Sequence, residues 1–299
     1  MRHRPLLVLA ALTILCSLPV AASAHEKESA YSSAYASYFG DGDPVGMLGA
    51  SRLADPQPLE GTGKNMQIVA NVPMAGTVAG SDIELAGDYA YVGSYGEGVV
   101  IVDIKDPLRP KRAGVFSCPE GGQFDVQLQP GSNPQYMVMA IESVNNTCHK
   151  GDEGFVLVDI SDKANPKEVA FVGQKKVADG GGGLQDGSHN TTMDWPYLYN
   201  NQYQPTHGQQ DGNRGQVDVF DLRKLIANPT DLKPLAVLPA VGGGFHDLQV
   251  DHRPDGKVLG YGASIGFTDV LDLTDPAKPK FLNRFAAAEH GVGISHGIE

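Results

Sequence analysis

An all-β propeller is the fold this sequence predicts, and three observations carry the reading. A glycine-led apolar run that ends in aspartate and continues through a proline-bracketed turn into another strand occurs four times: GVVIVDIKDPLRPKRAG from Gly98, GFVLVDISDKANPKEVAFV from Gly154, GQVDVFDLRKLIANPTDLKPLAVL from Gly215 and GFTDVLDLTDPAKPKFL from Gly266. The aspartates marking the copies, Asp103, Asp159, Asp221 and Asp272, lie 56, 62 and 51 residues apart, the period of an array of four-stranded units. Finally, 37 glycines and 20 prolines in 299 residues suit many short strands joined by tight turns, and a hydrophobic content of 41% supports a sizeable core.

Taken in order, the chain opens with Arg2 and Arg4, an apolar run over residues 6–20, and Ala22-Ser23-Ala24. This is the pattern of a secretory signal peptide, residues 1–24, cleaved after Ala24. The run is short for a membrane span, although a retained anchor is the alternative; after cleavage no membrane span is expected. Removing it takes away two arginines and no acid, so the formal charge falls from −12 to −14. Such a surface repels phosphate, and nucleic acid is not an expected partner. Cys118 and Cys148 then remain as an even pair in an exported chain and read as a disulfide, two free thiols being the alternative. Export predicts a secreted, periplasmic or cell-surface location.

Residues 25–64, rich in Ser, Ala, Gly, Asp and Pro, read as a flexible lead-in. The propeller is assigned to residues 65–299. In its second unit, strand A is expected over 125–129, B over 136–142, C over 155–160 and D over 168–172. The other A strands are placed at 83–86, 190–194 and 247–251, and the other B strands at 89–95, 197–203 and 258–264. Strand C is apolar on both faces, as a strand between two sheets must be. Residues 65–74 (NMQIVANVPM) match strand D and are expected to supply a closing outer strand. After four complete blades the chain reads GVGISHGIE, the start of a fifth. It is therefore read as a C-terminally truncated copy of a longer propeller, with an irregular four-blade closure as the rival.

The VVIVDI…DP..P repeats, with GSDIEL before the first blade, GSHNTTM from Gly187, FHDLQV from Phe245 and the Cys118/Cys148 pair, resemble the LVIVD-repeat family of exported bacterial propellers over residues 65–299. The resemblance implies the fold, and members that are usually longer at the C-terminus. It implies no particular chemistry.

In a propeller the A strands line the central channel, and the D–A and B–C connections share one face. That places Cys118 and Cys148 on neighbouring blades at the same face. Aligning the A strands brings Ser81, Phe124, His189, His246 and His296 to one position, and Asp82, Asp125, Asn190, Asp247 and Gly297 to the next. Imidazoles from three successive blades can bind Zn, Cu or Fe, with Asp125 or Asp247 orienting them. They can instead hydrogen-bond neighbouring strand ends or line a metal-free ligand site. The long B–C loops over 143–153 and 204–214 add His149, Asp152, His207 and Asp211 to a candidate binding face. The marker aspartates read as turn caps. No nucleophile–base pair, phosphate loop or HExxH appears, and Gly180–Gly183 reads as a linker between blades. Two functions remain open: a binding or scaffold module for a protein, glycan or small ligand, and a metal-dependent enzyme at the channel mouth.

Overall fold

The computed structural model describes residues 67–74, 80–122, 124–142, 146–150, 152–173, 188–201, 216–239, 245–264 and 267–286. The signal segment, the lead-in, the glycine run and the start of a fifth blade lie outside them.

Among the described residues sixteen strands form four antiparallel sheets, each a meander of four sequential strands. Blade one holds β1 (Gly80–Ala86), β2 (Tyr89–Ser94), β3 (Gly98–Asp103) and β4 (Lys111–Ser117). Blade two holds β5 (Val126–Leu128), β6 (Tyr136–Ile141), β7 (Gly154–Asp159) and β8 (Lys167–Gly173). Blade three holds β9 (Asn190–Asp194), β10 (Tyr197–Asn201), β11 (Gln216–Asp221) and β12 (Ala236–Pro239). Blade four holds β13 (Asp247–His252), β14 (Val258–Ser264), β15 (Phe267–Asp272) and β16 (Lys280–Ala286). The inner strands meet in series, β1 beside β5, β5 beside β9 and β9 beside β13. The sheets therefore fan about an axis rather than stack in two layers.

Alternation in the third strand glues the fan together. Val99 and Ile101 face blade two and pack with Val156 and Val158, while Phe155 and Leu157 face blade three and pack with Leu198 and Phe220. Val217 and Val219 pack with Leu271 and Leu273 of blade four. Each such fully buried side chain contributes about 1.5–3 kcal/mol, which is why this strand is apolar on both faces. The glycine that opens it has a separate cause. At Gly98 (φ 110°) a Cβ would sit 2.2 Å from the Phe116 carbonyl oxygen, and at Gly154 2.1 Å from that of Val172, so the outer strand leaves no room for one.

The marker aspartates are the last residues of β3, β7, β11 and β15, and each accepts the backbone N–H two residues on, at Lys105 (3.0 Å), Ser161 (2.8 Å), Arg223 (3.1 Å) and Thr274 (3.0 Å). The Ser161 backbone N–H, then its hydroxyl, holds the Asp159 carboxyl below its usual range. These carboxylates are turn caps.

Two features depart from the expected pattern. In blade three the turn after Asp221 is a short helix, α1 (Leu222–Ala227), whose Leu222 and Leu225 are buried against blade two. Residues 67–74, expected as a closing strand, join no sheet among the described residues. They run along the outward face of blade one, where Val72 and Met74 cover Ala90, Val100 and Val102, and Arg112 Nη1 donates to the Pro73 carbonyl at 3.3 Å. The segment that matched strand D thus packs on a sheet through Val72 and Met74, while Ile68 and Val69 stay exposed.

Candidate functional site

The channel mouth is built by the residues just before β9 and β13. His189 N–H donates to the Asn201 carbonyl (3.0 Å) and His246 N–H to that of Ala263 (2.7 Å), which fixes both imidazoles at the D–A/B–C face. Their ring centroids are 4.3 Å apart, edge to face. His189 Nδ1 lies 2.6 Å from Oε2 of Glu142, just beyond the end of β6. Two of the three aligned histidines are thus neighbours; His296 lies outside the described residues. At the equivalent positions of the earlier blades, Ser81 is exposed and Phe124 is buried in the core.

The aligned carboxylates do not orient the histidines. Asp82 Oδ2 accepts the backbone N–H of Val126 in blade two (2.8 Å), and Asp125 Oδ2 accepts both the N–H (2.7 Å) and the hydroxyl (2.8 Å) of Thr191 in blade three. Asp247 Oδ1 accepts from Leu248 N (2.8 Å). Asp82 and Asp125 are stitches between inner strands, and the carboxylate on His189 is Glu142. Asn190 pairs with Asn201 through the backbone of β9 and β10. A further stitch joins His252 Nε2 to Asp194 Oδ1 at 2.8 Å on the opposite face.

The loop residues divide. Cys118 and Cys148 form a disulfide between blades one and two, with Cα atoms 4.9 Å apart. His149 stacks on Phe171 at 3.6 Å between centroids, and its Nε2 is 3.2 Å from Glu168 Oε2. Asp152 is buried, its carbonyl accepting from Asn146 Nδ2 at 2.9 Å. Both side chains are turned down onto their own blade. His207 and Asp211 lie outside the described residues. Trp195 packs beside Tyr136 in the core between blades two and three.

A polar row that the aligned histidines do not reveal runs outward from this mouth. Strand pairing defines, in each blade, a row facing the preceding one: Ile83–Val92–Val100–Val115 in blade one and Val126–Met139–Val156–Phe171 in blade two. In blade three the same row reads Thr191–Asn200–Asp218–Val237, and in blade four Leu248–Gly262–Asp269–Arg284. Asn200 and Asp218 are buried where the earlier blades hold aliphatic side chains. The signal was present in the third position of strand C, which is Val, Val, Asp and Asp along the array.

Burial pushes the Asp125 carboxyl up to about 8, with the facing Asp82 and Asp247 carboxylates adding to the rise and the Thr191 hydrogen bonds opposing it. The folded state therefore holds this proton more tightly than the unfolded chain, so stability is full below an ordinary carboxyl pKa and falls as pH rises toward 8. Asp125 as a whole residue is half-buried, and the loss is expected to be on the order of a few kcal/mol. Asp125→Asn keeps an acceptor for Thr191 and copies Asn190 of blade three. Urea denaturation from acid to alkaline pH is expected to show a flatter profile for the variant and higher stability than the wild type above the folded pKa. Parallel profiles would contradict this.

The LVIVD repeat family model matches residues 79–116 and 150–172. Among solved structures the chain is similar to a hypothetical selenium-binding protein from Sulfolobus tokodaii (15% identity, 67% of this chain and 45% of that one, TM-score 0.43). It is also similar to a quinonprotein alcohol dehydrogenase-like protein from Bacteroides thetaiotaomicron (12%, 69% and 41%, TM-score 0.42) and to a functionally unknown protein from Desulfotomaculum acetoxidans (13%, 70% and 56%, TM-score 0.44). The chain thus spans 41–56% of the length of these structures. No curated protein matches it. The matched segments cover β1–β4 and β7–β8, and the strand–Asp–turn–strand unit they define recurs in all four blades: the chain carries LVIVD repeats.

Proposed function

We propose that this protein is an exported binding module that holds its ligand at the D–A/B–C face, around the mouth of the channel. The observation that carries the reading is the cluster of His189, Glu142 and His246 on three successive blades, beside the polar end of β10. Hydrogen-bonding side chains presented by separate rigid sheets suit recognition of a protein segment, glycan or small ligand. Export rests on the N-terminal pattern and agrees with the disulfide. No helix among the described residues is long and apolar enough to cross a membrane.

A second reading, a metal-dependent enzyme using Zn, Cu or Fe, draws on the same pair of imidazoles, because a carboxylate on Nδ1 is the usual way of orienting a ligating histidine. Among the described residues no group of three His, Cys, Asp or Glu side chains can hold a metal, so this reading depends on His296. Native mass spectrometry and metal analysis of protein purified without an affinity tag separate the two. An organic adduct lost in His246→Ala supports the binding module, and stoichiometric transition metal lost in the same variant supports the enzyme. A bare protein, or an adduct indifferent to His246, counts against both.

A further inference from the structure

The end of β10 holds buried hydrogen-bonding groups that no described residue pairs with. Asn200 and Asn201 are 1% and 0% exposed, and Ser188, just before β9, is 0% exposed. Asn200 Oδ1, both amide atoms of Asn201 and Ser188 Oγ have no hydrogen-bond partner among the described residues. Leaving such groups buried and unpaired costs about 1–3 kcal/mol each. The array has a simple remedy that blade three does not adopt: the positions aligned with Asn200 are Val92, Met139 and Gly262, and those aligned with Asn201 are Gly93, Ala140 and Ala263. Nothing in the architecture requires asparagine at either place.

The two amides occupy opposite faces of one strand end. Asn200 lies between Thr191, which is bonded to Asp125, and Asp218. Asn201 carries the carbonyl that receives His189 N–H, and the Glu142–His189 pair stands beside it. The unpaired groups include acceptors (two amide oxygens and the hydroxyl) and donors (an amide nitrogen and the same hydroxyl), and the Glu142 and Asp218 carboxylates close by disfavour an anion. A molecule with several adjacent hydroxyls meets that demand, because each hydroxyl donates to an amide or carboxylate oxygen while accepting from an amide N–H. We propose that the end of β10, with Ser188 and the Glu142–His189 pair, binds a small neutral polyol of the sugar class. The proposal rests on the binding-module reading and names its ligand.

Isothermal titration of the full protein with glucose, mannose, galactose and N-acetylglucosamine, with glycerol as control, tests it. One sugar is expected to bind saturably, and the double variant Asn200→Val/Asn201→Ala is expected to bind at least about tenfold more weakly. Because both replacements copy residues the array carries at those positions, the variant should melt no lower than the wild type without sugar. The proposal is overturned if no sugar binds at millimolar concentration, or if the double variant binds equally well. Should sugar binding fail while the His246-dependent organic adduct persists, only the ligand class is wrong; if both fail, the binding module falls with it.

Discussion

Replacing Arg284 by methionine is expected to cost about 3–5 kcal/mol, the largest effect of any single change considered for this fold. Arg284 Nε and Nη2 each donate to Asp269 at 2.6 Å, and the Asp269 side chain is only 2% exposed. The guanidinium also lies over Phe267, 4.6 Å from the ring centroid, a contact that shields it from water on one side. Methionine fills comparable space but strands a carboxylate inside blade four, facing blade three. Urea denaturation should show the loss, together with a melting point lower by roughly 10 °C. The compensating experiment copies blade one, where Val100 and Val115 occupy the equivalent positions. Asp269→Val/Arg284→Val should recover most of the loss, since a buried ion pair and an apolar pair are often close in free energy while half an ion pair is not. A single variant as stable as wild type would mean that Asp269 has a different counter-charge.

The second large effect is at the joint between blades one and two. The Cys118–Cys148 bond closes a loop between residues 30 apart in sequence, which in the chain-entropy picture stabilises by roughly 3–4 kcal/mol. Cys118 is also fully buried in the core between these blades, so Cys118→Ala/Cys148→Ala removes both the crosslink and some packing. The double variant is expected to unfold at clearly lower urea concentration, and the wild type treated with reductant should approach it. Hydrogen exchange should locate the change in β4, β5 and the segment around Cys148. A variant that unfolds with the wild type would show that the blade interface alone sets this joint.

The strand pattern was legible because burial on two faces leaves a local mark: the expected strands agree with the observed ones to within a residue or two wherever both are described, except that β1 begins at Gly80, three residues before the expected start, and the marker aspartates end β3, β7, β11 and β15 as caps. The His189–His246 contact was legible only through the repeat, since nothing within 57 residues of sequence links the two. Glu142 was missed because its bond to His189 comes from the angle between blades two and three, which no local pattern encodes. Asn200 and Asp218 were missed for a different reason. A strand with two polar residues still scores as apolar, and only comparison of one position across four copies shows the substitution. The match to strand D told only part of the story at residues 67–74, because an extended apolar segment looks the same whether it pairs with a sheet or lies on one.

The inner-strand stitches have a consequence for how the chain assembles. Asp82, Asp125 and Gln127 each accept from an amide of the following blade, at Val126, Thr191 and Met193, so these contacts all point one way along the sequence. A growing chain can finish the sheet of one unit and still hold acceptors that only later residues will fill. Synthesis from the N-terminus therefore completes each joint one unit behind the last sheet formed, in the manner of a ratchet.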